Sequence, residues 1–188
     1  MTRVQKTVVV LTAVVALVLG LTVNKVLNGK GQGDPVALLD AGIVLLPQSR
    51  ELPDVKLFDT EGKTFALDQL DGKWSLLFFG YTFCPDICPT TLAQLRELKS
   101  KLPEAAQNNL QLVFVSIDPQ RDTAEHLKEY LNFYKAGFIG LRGELPAIQT
   151  LANAVSIPFI PADTSKENYT VDHSGNLVLL GPEGRQRG

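Results

Sequence analysis

Residues 75–92 read SLLFFGYTFCPDICPTTL, and the reading of this stretch decides the fold. Ser75 to Gly80 is a continuous apolar run of strand length, the pattern of a strand buried on both faces of a sheet. Pro89 then starts a helical pattern, with Leu92, Leu95, Leu98 and Leu102 on one stripe and Arg96, Glu97 and Lys99 largely away from it. Cys84 and Cys88 fall between the two, near the C-terminal edge of a sheet and the N-terminus of a helix, where ligands gather. The helix dipole lowers thiol pKa values at such a place, and the thiolate is the species that attacks disulfides or binds metals.

Outward from this stretch, Leu110 to Ile117 (LQLVFVSI) reads as a second core strand, and Asp122-Thr123 opens a helix through Tyr134 by side-chain capping. A further helix is predicted from Leu145 to Val155. Tyr169 to Asp172 and Asn176 to Leu180 read as two closing strands, too close together for a crossover helix and therefore antiparallel. Upstream, Ile43 to Leu46 and Val55 to Phe58 read as short strands, the latter followed by a Gly-containing turn, Asp59 to Lys63, and by Thr64-Phe65. The expected fold is α/β and thioredoxin-like, a β-α-β-α-β-β core with an N-terminal hairpin extension.

The composition suits a packed domain, with 45% apolar and 20% charged residues in 188. Residues 1–30 hold Arg3, Lys6, Lys25 and Lys30 and no acid, which leaves 14 bases against 20 acids beyond them. A net charge of −6 on that part argues against a nucleic-acid partner. Thr7 to Asn24 is an uncharged run of 18 residues, long enough as a helix to cross a bilayer core. The expected organisation is therefore a cytoplasmic n-region (1–6), a transmembrane anchor (7–26), a linker (27–40) containing a Gly-rich tether from Asn28 to Pro35, and a thioredoxin-like domain (41–188). Arg3 and Lys6 orient such a single-pass anchor with the domain on the extracytoplasmic, periplasmic side of the inner membrane. A cleaved signal peptide, with Val18-Leu19-Gly20 as its weak cleavage site, is the alternative.

Two thiolates separated by three residues can face one ion, and they are the soft donors a cuprous ion prefers. Hard cations fit poorly, and iron–sulfur clusters and structural zinc usually need four protein ligands. An inert disulfide is the plain alternative, but so small a loop restrains the unfolded chain very little. His173 either completes a three-coordinate site or closes a turn with Ser174-Gly175. Asp118 either orients the site or ends a strand, and Asp172 either holds the His173 imidazole or is a solvated charge. His126 reads as an exposed surface histidine, and Tyr81 and Phe83 as shields against water. No Gly-rich phosphate loop or serine-nucleophile elbow is present.

Gly80 to Leu92, then Ser116-Ile117-Asp118-Pro119 with Arg121-Asp122-Thr123, then Asp172-His173-Ser174, together resemble the Sco/SenC family of membrane-tethered, thioredoxin-like copper proteins. The resemblance covers roughly residues 50 to 184, with three motifs in the right order. It implies a copper ion held by Cys84, Cys88 and His173. It also implies a part in assembling the dinuclear copper centre of cytochrome c oxidase, whose copper-centre subunit would be the partner, by delivering copper, by reducing that centre's cysteines, or both. The expected function is a copper metallochaperone. Its rivals are a thiol-disulfide reductase, with Cys84 attacking and Cys88 resolving, a peroxide-reducing enzyme, and a redox or copper sensor. The chain stops at Gly188, where such relatives usually continue through a strand and a helix, so a shortened C-terminus with less cover over one sheet face is expected. Phe83 should make the rim of the site more apolar.

Overall fold

The apolar N-terminal run folds as a helix, α1 (Arg3–Asn28), in a computed structural model that describes residues 2–28, 35–166 and 168–188. The transmembrane anchor expected at 7–26 is not borne out: among the described residues no helix is long and apolar enough to cross a membrane. The single-pass placement read from that anchor loses that support. The sequence count was of uncharged residues, and these include Thr12, Gly20, Thr22 and Asn24. The Thr12 hydroxyl donates to the carbonyl of Val8 at 3.0 Å, and that of Thr22 to the carbonyl of Val18. Of the expected linker, residues 29–34 lie outside the described residues, and the rest includes a short helix, α2 (Pro35–Asp40). The chain divides into two units, Met1–Val44 and Leu45–Gly188.

In the second unit β1 (Leu57–Phe58) and β2 (Thr64–Phe65) form the expected antiparallel hairpin, with Leu57 opposite Phe65. Its turn is closed by the Asp59 carboxylate, which accepts from the Glu61 and Lys63 N–H groups, and by Gly62 at φ 75°. Ile43 to Leu46, by contrast, is not a strand: Ile43, Val44 and Leu45 are exposed, and among the described residues no strand pairs with them. After a 3-10 turn, Leu67–Leu70, come β3 (Trp74–Gly80), α3 (Ile87–Lys101), α4 (Glu104–Asn108), β4 (Leu110–Ser116), α5 (Ala124–Phe133), β5 (Phe138–Leu141), α6 (Leu145–Ala154) and β6 (Leu177–Leu180).

These strands make one sheet in the order β5-β4-β3-β6, with β3, β4 and β5 parallel and β6 antiparallel to β3. The expected core order needs two corrections. β5 is a third parallel strand that the sequence reading did not contain; four residues interrupted by Gly140 carry too little periodicity to announce it. Tyr169 to Asp172 is not a strand. Of the two expected closing strands only the second forms, as β6 beside β3, and Asp172 makes only an isolated bridge to Ile160.

Because β3, β4 and β5 succeed one another in one direction across the sheet, right-handed crossovers put α3 and α5 on the same face. That face carries Phe78 and Phe114, register partners whose rings meet edge to face with centroids 6.0 Å apart. Leu92 and Leu95 of α3 and Leu127 and Leu131 of α5 are all buried in this core. Two glycines let the helices approach. A Cβ on Gly140 would lie 2.6 Å from Leu131 Cδ1, and one on Gly80 would lie 2.7 Å from Cys88 Sγ and 3.0 Å from the Phe114 ring.

Gly80→Ala is accordingly expected to destabilise the protein by about 1–3 kcal/mol, the usual penalty for overpacking, and to displace Cys88. Urea unfolding checks the first effect; thiol reactivity of the folded variant, raised at Cys88, checks the second.

Candidate metal centre

β3 ends at Gly80, and the chain makes one tight turn, with the Cys84 N–H on the carbonyl of Tyr81 at 3.2 Å, before α3 begins at Ile87. The structure holds both cysteines as free thiols. Cys84 is half-buried, and its Sγ accepts the backbone N–H of Cys88 in the first turn of the helix at 3.5 Å. Cys88 lies one residue inside the helix with its side chain fully buried against the end of β3. The two sulfurs thus occupy different environments. Burial pushes the Cys88 thiol far above its ordinary value.

His173 is carried on the segment between α6 and β6, and the structure brings it to the cysteines. Its Nε2 stands 3.5 Å from Cys88 Sγ, and Sγ of Cys84, Sγ of Cys88 and a ring nitrogen of His173 all lie within 4.8 Å of one another. Nδ1 lies 3.0 Å from the carbonyl oxygen of Ser174. A carbonyl only accepts, so Nδ1 carries the proton and Nε2 keeps its lone pair toward the sulfurs. The ring packs edge-on against Tyr81, with centroids 5.7 Å apart, and against Phe78 at 6.1 Å. Burial lowers the His173 pKa from 6.5, so the imidazole is neutral at neutral pH.

Metal–sulfur and metal–nitrogen bonds of about 2.0–2.3 Å put trigonal donors about 3.5–4 Å apart, so the three atoms fit one soft ion with little rearrangement. Of the two readings of His173, the packed geometry matches the ligand rather than the simple turn. Asp172, a candidate partner for the imidazole, is exposed and hydrogen-bonds neither ring nitrogen; the Ser174 carbonyl does that work. His126 is not fully exposed but half-buried, its ring tilted over Phe83 with centroids 5.1 Å apart. Tyr81 is buried as a shield should be, whereas Phe83 is 50% exposed and forms the rim.

Asp122 has a different role from the helix opener read in the sequence. Thr123 is the cap, its hydroxyl accepting the His126 N–H, while Asp122 is wholly buried beneath the motif. Its carboxylate accepts from the Thr82 hydroxyl at 2.6 Å, from the Thr82 N–H at 3.2 Å and from the Ser116 hydroxyl at 2.6 Å. Burial raises its pKa, and the donated hydrogen bonds oppose that rise. Asp118 is also buried, paired through Oδ2 with Arg121 Nε at 2.5 Å and accepting the Tyr169 hydroxyl on Oδ1 at 2.8 Å. The sequence reading gave no separate role to Arg121 or Tyr169.

Residues 46–188 match the SCO1/SenC family model. The chain belongs to that family. This SCO1/SenC member is 49% identical over 156 residues to a provisionally named copper-binding protein of Stutzerimonas stutzeri, covering 82% of this chain and 76% of that one. It is 35% identical over 127 residues to the mitochondrial SCO1 homolog 1 of Arabidopsis thaliana, covering 68% of this chain but only 38% of the relative. Among solved structures, yeast Sco1 with copper bound superposes with a TM-score of 0.68 at 32% identity, over 74% of this chain and 78% of that one. Bradyrhizobium japonicum ScoI with copper bound gives 0.66 at 32% identity, over 73% and 87%. The thioredoxin-like α/β part of the expected fold is thereby supported.

Two outcomes follow from the burial pattern. Alkylation of the folded, reduced protein should modify Cys84 first and leave Cys88 protected until the chain unfolds, as peptide mass mapping would show. Because the folded state disfavours protonated His173, the unfolded chain binds the extra proton below about pH 6.5. Stability should therefore fall as pH drops through that region, with a shallower fall in His173→Gln, read from thermal midpoints at pH 5.5 and 7.5.

Proposed function

We propose that this SCO1/SenC protein is a copper metallochaperone, with copper as its cargo held by Cys84 Sγ, Cys88 Sγ and His173 Nε2. The observation that carries the reading is the convergence of these three atoms within 4.8 Å at the end of the sheet. Two thiolates and one neutral imidazole match the softness of a cuprous ion. The two copper-containing relatives add support through likeness of fold and sequence. Three protein ligands leave room for an incoming donor, so a recipient's thiolate can add before Cys84, the more accessible sulfur, departs. By family resemblance the recipient is the copper-centre subunit of cytochrome c oxidase.

A second reading draws on the unequal burial of the sulfurs, half-buried Cys84 and fully buried Cys88. In a thiol-disulfide reductase, the Cys84 thiolate attacks a target disulfide, forms a mixed disulfide and releases one target thiolate. The Cys88 thiolate then attacks Cys84 Sγ, releasing the second, so two electrons pass from the protein dithiol to the target. His173 has no necessary part in that exchange.

Competitive copper(I) titration of the reduced full-length chain separates the two. Changing an outer partner of a metal ligand typically weakens binding 10- to 100-fold, so losing a ligand itself in Cys84→Ser, Cys88→Ser or His173→Ala should weaken it by more than about 100-fold. Unchanged affinity in all three ends the chaperone reading. Reduction of a test disulfide that survives His173→Ala but not Cys84→Ser would favour the reductase.

A further inference from the structure

The ligand from the distant part of the chain sits on a segment with little structure of its own. Between α6 and β6 no residue described is in a strand or helix, and the only ladder contact is the isolated bridge between Ile160 and Asp172. Yet His173 Nε2 must be held to within a fraction of an ångström of its place beside two sulfurs that the turn after β3 and the first turn of α3 fix independently. Something has to transmit the position of the sheet edge to that segment.

Arg121 touches both sides. Its guanidinium carbon lies 3.6 Å from the centroid of the Tyr169 ring, four residues before His173. It also lies 4.8 Å from the ring of Phe83, which precedes Cys84, and 5.6 Å from Tyr81, against which the His173 ring packs. Asp118 fixes both partners at once, binding Arg121 Nε through one carboxylate oxygen and the Tyr169 hydroxyl through the other. Arg121 Nη2 is buried and makes no hydrogen bond, so this guanidinium is committed to its stacking faces rather than to a full set of donors.

We propose that Asp118, Arg121 and Tyr169 form a latch that positions His173 relative to Cys84 and Cys88, making Arg121 and Tyr169 positioning residues for the third copper ligand. The inference rests on the chaperone reading above. Tyr169→Phe keeps the ring and loses the hydroxyl's hold on Asp118; Arg121→Lys keeps the charge and loses the planar stack. Tyr169→Phe reaches the site only through His173, so its effect must disappear once the imidazole is gone; Arg121→Lys also changes the contact with Phe83 beside Cys84, so its effect must shrink without the imidazole.

The test is a double-mutant cycle on the full-length reduced chain, with copper(I) affinity measured against a competing chelator. Tyr169→Phe and Arg121→Lys should each weaken binding about tenfold in the parent chain, the lower end of what outer partners of ligands contribute; in the His173→Ala background Tyr169→Phe should change it by less than about twofold and Arg121→Lys by clearly less than in the parent. In the copper-free protein, amide exchange of residues 168–175 should quicken in both variants while that of β3 and β4 stays as in the parent. If one variant fails to fold, the other carries the cycle. Equal losses with and without His173, or no loss in the parent chain, overturn the latch while leaving the chaperone reading intact. No loss on His173→Ala while the cysteine variants lose affinity also overturns the latch, and no loss in any of the three ligand variants overturns both.

Discussion

Where a Cβ on Gly80 would stand, the sulfur of Cys88 already sits 2.7 Å away, and this close contact sets the geometry of the site. It seats the first turn of α3 directly on the last residue of β3, so the helix begins within one turn of the sheet's edge and the second thiol is excluded from water. From that seat follow the rotation of the helix, the burial of Leu92 and Leu95 against Phe78 and Phe114, and the short path that leaves Cys84 at the rim. A structural requirement for dense packing and a chemical requirement for unlike sulfurs are met by one missing methyl group.

The parts of the fold legible in the sequence were those with long, uninterrupted signals. β3 and β4 are seven-residue apolar strands, and α3 carries a clear leucine stripe, so their order and their crossover could be read directly. β5 could not, because Gly140, which Leu131 requires for its own packing, halves an already short signal. Tyr169 to Asp172 misled for the opposite reason. Tyr169 and Val171 alternate with polar residues as in a strand, but their side chains are held by Asp118 and by the core rather than by a ladder.

At the site, spacing alone announced the cysteines, since two sulfurs separated by three residues on one turn of chain are local. His173 is 85 residues from Cys88, and only its motif suggested the pairing. Its hydrogen-bond partner was not legible: the imidazole is oriented by the carbonyl of the next residue, and backbone carbonyls leave no mark on a sequence. Asp118 reads as a strand-end acid and Asp122 as a helix opener, yet one grips a cation and a phenol while the other collects hydroxyls in the interior.

The three donors that Asp122 collects belong to two different segments, Thr82 after β3 and Ser116 at the end of β4. A single interior anion therefore fastens together the tips of the two central strands, one of which bears the cysteines. Neither tip can swing outward without stripping the carboxylate of partners in a medium too poor in water to replace them. Breathing motions at this end of the molecule are thereby correlated, and the turn that bears Cys84 inherits the stiffness of its neighbour.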